Sequence, residues 1–94
     1  MKQFTKINES EVTSSEGYSV KFTHNKLTYK EGKRAISIDI EHEVDPYKLV
    51  VFTDTLRGWY PPFSLEAVSK EKKTQISERI DAALRFLGVD YELE

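Results

Sequence analysis

The stretch from Ala35 to Glu41 constrains this chain most, because Ile36, Ile38 and Ile40 alternate there with Ser37, Asp39 and Glu41. Side chains along a strand point to opposite faces in turn, so this period predicts one dry and one wet sheet face. The β-branched isoleucines suit a pleated, half-buried surface. Such a strand needs neighbours, and the flanking sequence supplies them. Tyr18, Val20 and Phe22 repeat the period against Ser19, Lys21 and Thr23. A turn at His24-Asn25-Lys26 leads to a second strand at Leu27-Thr28-Tyr29, and Gly32 offers the positive φ of a tight hairpin. Pro46 lacks an N–H for the ladder, so Glu43 to Tyr47 reads as the end of the isoleucine strand. The next strand, Lys48 to Thr53, contains the run Leu49-Val50-Val51-Phe52, which predicts cover on both faces.

The pattern then changes. Gly58 to Ser64 holds Pro61 and Pro62 and reads as a loop. Ser69 is a good helix N-cap, and Ile76, Ile80, Ala83, Leu84 and Leu87 form one apolar stripe. Gly88 stands where a left-handed C-terminal residue belongs, and Arg85 suits the negative end of the helix dipole. Val89, Tyr91 and Leu93 alternate as a short last strand. The predicted class is α+β: an antiparallel β-sheet of about four or five strands with one C-terminal α-helix packed on one face. The face of Ile36, Ile38 and Ile40 is the natural one for the helix to cover. Residues 18–94 read as a single α+β domain. Residues 1–17 read as a partly flexible N-terminal arm, softest from Asn8 to Gly17 and tethered by Phe4 and Ile7 in a short strand.

Ninety-four residues suffice for one core and leave no room for a separate cofactor domain. There are no cysteines, which excludes a disulfide scaffold and fits a reducing cytoplasm. No apolar run follows the N-terminal lysines and the longest one spans four residues, so neither a signal peptide nor a membrane helix is expected. A net charge of −2 gives no general attraction to nucleic acid or membrane. The charge is uneven, with seven acidic against four basic groups in residues 31–66.

Few residues suggest chemistry. Glu41-His42-Glu43 could form a general base or half of a metal site, but on a strand the two glutamates point away from the histidine. Phosphate loops, nucleophile elbows and zinc-protease motifs are absent. No catalytic residue, cofactor or metal is expected. Asp39, Glu41, Glu43 and Asp45 recur at every second position, about 7 Å apart on one face if the strand continues through them. That strip could meet the basic groove of a nuclease, or serve only as a solvated face that discourages edge aggregation. Trp59 and Tyr60, in a rigid aromatic-proline loop, could anchor a partner, or Trp59 could plug the gap between sheet and helix. An edge strand near either terminus could pair with a second copy as a homodimer. The layout of strands followed by one helix also resembles the small whirly-like single-strand-binding proteins. In that reading Lys21, Lys26, Lys30, Lys33 and Arg34 would track the backbone, and Tyr18, Phe22 and Tyr29 would stack bases. The negative net charge opposes it.

The order of elements resembles a small immunity-protein family of bacterial polymorphic toxin systems, across roughly residues 18–93. The similar stretches are the Leu27–Arg34 hairpin start, Ile36 to Glu41, Trp59 with Pro61-Pro62, and the helix from Ile76 to Gly88. The resemblance implies a cytoplasmic inhibitor with no activity of its own, bound tightly to a cognate toxin encoded beside it. It also implies recurring roles for the positions of Trp59, Pro62 and Glu41. Tyr60 departs from the acidic or polar residue often found in such loops.

Overall fold

A computed structural model describes residues 3–44, 46–56 and 58–94. Among the described residues seven strands occur in chain order: β1 (Phe4–Asn8), β2 (Glu11–Ser14), β3 (Tyr18–Phe22), β4 (Lys26–Glu31), β5 (Arg34–Glu43), β6 (Lys48–Phe52) and β7 (Tyr91–Leu93). A short 3-10 turn (Thr53–Thr55) follows β6, and the α-helix α1 (Lys70–Leu87) precedes β7. The spatial order of the sheet is also β1 to β7. Neighbours from β1 to β6 are antiparallel, whereas β7 runs parallel to β6. The expected four or five antiparallel strands are therefore corrected to a mixed sheet of seven. A parallel pair needs a long crossover, and the segment containing α1 provides it between β6 and β7. The stretch read as an arm carries β1 and β2, which extend the sheet beyond β3.

Register explains the core. Val12, Val20, Tyr29 and Ile36 face one another across β2 to β5, as do Phe22, Leu27 and Ile38. All are buried, and Ile40, Leu49 and Val51 continue the same inner face. The helix places Ile76, Ile80, Ala83 and Leu84 against it, each 0% exposed. Burial of a side chain of this size contributes about 1.5–3 kcal/mol, so this stripe outweighs anything at the helix surface. Ser69 caps the helix by accepting a bond from the Lys72 amide at 3.1 Å. Gly88, at φ 78°, ends it with its amide on the carbonyls of Leu84 and Arg85.

The sheet curls around α1. Phe4 of β1 meets Phe86 with ring centroids 5.1 Å apart, while the Tyr91 hydroxyl of β7 bonds Asp81. Both outermost strands thus reach the same helix, which makes the inner face concave and the outer face convex. A register shift between Lys6 and Asn8 breaks the regularity of the β1 edge, a feature that discourages strand-on-strand pairing.

A polar cluster ties α1 to the hairpin of β4 and β5. Glu31 accepts from the Tyr29 hydroxyl at 2.6 Å, Lys72 Nζ at 2.8 Å and Arg79 at 3.1 Å. Arg79 also bonds the Tyr29 hydroxyl at 2.8 Å and lies over the Tyr18 ring at 4.7 Å. Burial pushes the Glu31 carboxyl up, but hydrogen bonds from Lys72 and Tyr29 and the two cations outweigh it, leaving the group below its usual range. Burial, with the Glu31 bond, pushes the Tyr29 phenol strongly up.

Candidate partner-binding face

The side chains pointing away from the helix form the convex outer face. On β3 and β4 these include Ser19, Lys21, Thr28 and Lys30; on β5 to β7 they include Asp39, Glu41, Glu43, Lys48, Val50 and Glu92. The β5 to β7 half is acidic. Glu41 and Glu92 lie in register on either side of Val50, and Glu43 lies opposite Lys48. Adjacent strands are about 4.8 Å apart and alternate residues about 7 Å, so these carboxylates form a grid rather than a line. Val50 is 2% exposed although it points outward, and it fills the middle of the grid. With Leu49 and Val51 also buried, β6 is covered on both sides, as its apolar run predicts.

Two lysines temper the charge unevenly. Lys26 forms a direct ion pair with Asp39, whose amide is held by Thr55 Oγ1 at 2.8 Å. Lys48 lies 3.6 Å from Glu92 and 3.9 Å from Glu43, both long for a charged hydrogen bond. Glu94 joins the group: a hydrogen bond with Glu92 and the charges of Glu92 and Glu43 push its carboxyl up. Crowding of this kind makes a strong local negative field, partly relieved by bringing cations close.

The acidic positions expected from sequence thus separate. Glu41 and Glu43 are exposed on β5, Asp39 is occupied by Lys26, and Asp45 lies outside the described residues. Glu92 and Glu94 were not expected. Their signal was the alternation of Val89, Tyr91 and Leu93, which places Glu92 on the opposite face; only the pairing of β7 with β6 brings it beside Glu41.

Trp59 and Tyr60 point to opposite destinations. Trp59 is 5% exposed and belongs to the buried core with Leu56. Tyr60 is 47% exposed, and its amide donates to the Ala35 carbonyl at 2.8 Å. It lines an outer-face cavity with Lys26, Ser37, Asp39, Thr55 and Gly58, which brings it beside the acidic grid. The loop is held by Arg34, which grips Glu66 with two bonds of 2.9 Å and lies 4.3 Å over the Phe63 ring.

His42 faces inward from the two glutamates. One ring nitrogen is 2.9 Å from the Tyr47 hydroxyl and the other 3.0 Å from the Thr23 carbonyl, while the His24 ring stacks on it at 6.0 Å. Both nitrogens are engaged in structure. Among the described residues, no three ligating side chains converge on a metal position. The aromatic stacking platform expected for single-strand binding is corrected: Tyr18, Phe22 and Tyr29 are 3%, 8% and 0% exposed. Their alternation served the core, where bases cannot reach them. No helix among the described residues is long and apolar enough to cross a membrane.

These features define a small α+β protein whose distinctive surface is a charged, convex sheet face. Residues 19–94 match the profile of the immunity protein 74 family, and the chain belongs to that family. No curated protein matches the chain, and no solved structure does. Membership places it among immunity proteins of toxin systems, whose general partner is a toxin and which generally act by binding rather than by catalysis.

Proposed function

We propose that this protein binds a cognate bacterial toxin in the cytoplasm and neutralises it by covering the active site or substrate surface. The family match supports toxin binding, and the acidic grid of Glu41, Glu43, Glu92 and Glu94 supports a partner with a basic, concave surface. A nuclease cleft has that character, because it is built to receive phosphates. The convex face suits a cleft better than a flat surface. In this reading Glu41 and Glu43 contact the toxin with Glu92, Tyr60 lies at the rim, and Asp39 with Lys26 borders the contact. Asp45 is proposed as a further contributor to the contact, and Trp59 acts from beneath by fixing the loop that carries Tyr60.

The test pairs the protein with the toxin encoded beside it. Co-expression should rescue growth and yield a stoichiometric complex. The double substitution Glu41→Lys with Glu92→Lys should leave the melting temperature nearly unchanged, since both side chains are exposed, and weaken binding about 100-fold, in line with the few kcal/mol that close charge pairs contribute. Wild-type affinity in that variant would remove the acidic face from the contact.

A further inference from the structure

At one end of the acidic grid lies a groove lined by Glu43, Val44, Pro46, Tyr47, Lys48, Asp90 and Tyr91. It opens between the β5–β6 hairpin and the turn that links α1 to β7, with a volume of about 720 Å³. Its composition differs from the rest of the face. Two tyrosines stand with two carboxylates and one loosely paired lysine, and Val44 and Tyr47 are 79% and 42% exposed. Exposed apolar side chains gathered at one groove mark a contact site more often than the same residues scattered singly.

Both aromatic walls are fixed in place. The Tyr47 hydroxyl bonds His42, which is braced in turn by the Thr23 carbonyl and the stacked His24 ring. The Tyr91 hydroxyl bonds both the side chain and the carbonyl of Asp81 on α1. A preorganised wall loses little freedom on binding. The carboxylates, in contrast, are underused. Glu43 has Lys48 only at 3.9 Å, and Asp90 makes no ion pair among the described residues, its carbonyl alone accepting from the Leu49 amide. Aromatic rings beside exposed, loosely paired carboxylates are the chemistry that recognises a cation on a long, partly apolar stem.

From this groove we propose that the protein receives a basic side chain of the bound toxin, an arginine or lysine, between Tyr47 and Tyr91 and against Glu43 and Asp90. The proposal rests on the toxin-binding reading above and adds a specific anchor to it. The cation replaces the loose Lys48 contact with short bonds to Glu43, while its stem covers Val44 and the tyrosine rings. Arginine seated in a well-packed pocket is among the residues enriched at interface hot spots.

The test has two arms that fail separately. In the first, the isotopically labelled protein is titrated with N-acetyl-arginine amide at low salt, with N-acetyl-norleucine amide as the uncharged control. Saturable amide shifts at Val44, Tyr47 and Tyr91, seen with the arginine compound alone, are expected. They should weaken at least fivefold in Glu43→Gln with Asp90→Asn and persist in Glu41→Gln with Glu92→Gln, which removes equal charge outside the groove. Shifts spread over the whole acidic face, or equal in both double variants, would overturn the groove as a site. In the second arm, Glu43→Gln with Asp90→Asn should raise the Kd for the toxin at least tenfold. A toxin complex of undiminished affinity in that variant overturns the anchor and leaves the toxin reading standing; arginine-specific shifts without any toxin complex overturn the toxin as the donor of that side chain.

Discussion

Glu31 is the single residue on which most of the polar attachment between sheet and helix converges. Its partners are Tyr29 on its own strand and Lys72 and Arg79 on α1. Because the folded carboxyl titrates below its ordinary value of 4.5, folding favours the charged form. The stability this provides is fully present above the unfolded value and is lost as pH falls through the folded one. Glu31→Gln should therefore lower the melting temperature at pH 7, with a cost of roughly 1.5–3 kcal/mol typical of hydrogen bonds to charged groups. The gap between variant and wild type should close as the solution is taken from pH 5 towards pH 2. Melting curves across that range check it, and a gap that stays constant would mean that Glu31 does not titrate against folding. The loop residues teach a related lesson. Trp59 and Tyr60 are adjacent and similar in chemistry, yet one is core and the other surface. Sequence alone left both uses open, because the choice depends on where the loop crosses the free length of β5 before β6 begins to pair.

At the scale of elements, α1 is held by its buried stripe far more than by its ends. Ile80→Ala removes a side chain that is 0% exposed between helix and sheet and should cost about 2–5 kcal/mol. Phe86→Ala, at 47% exposure near the helix end, should cost clearly less. Denaturant unfolding of the two variants would give the order, and an equal loss would mean that α1 is secured at its margin. The helix was legible because its signals are local: Ser69, the spacing of Ile76 to Leu87, and Gly88. Strands β3 and β5 were legible through period-two alternation, β4 through its flanking turns and β6 through its continuous apolar run. Of the first two strands, only a short one through Phe4 and Ile7 was read, and β2 was not. In β2 only Val12 is fully buried, and β1 is exposed along most of its length, so neither writes a dry face into the sequence. The direction of β7 was equally hidden, since parallel pairing follows from the crossover and not from three alternating residues. The same limit divided the candidate site. Glu41 and Glu43 stood out within one strand, whereas Glu92 and Glu94 joined them only through topology.

For the molecule as a whole, the outer face is electrically two-sided, with Lys21 and Lys30 on the β3–β4 half and the carboxylate grid on the β5–β7 half. A partner approaching through solution is turned by such a field before it touches. Association with the toxin should consequently slow about tenfold or more between 20 and 300 mM salt, as the screening length contracts, while dissociation changes little. Stopped-flow association and dissociation rates would separate the two; salt dependence confined to dissociation would show that the face does not steer.

The crossover into β7 also sets an order of events during synthesis. A ribosome finishes β6 well before it has made the helix that covers the inner sheet face or the strand that completes its edge. Through that interval Ile36, Ile38, Ile40, Leu49 and Val51 belong to a hairpin with nothing over it. Such a nascent chain is sticky and is a natural client for chaperones that hold emerging polypeptides. Its acidic face, built partly from Glu92, exists only once residues beyond the helix have left the exit tunnel. Under the proposed function, protection would lag translation, and a cell making both toxin and inhibitor would gain from starting the inhibitor first.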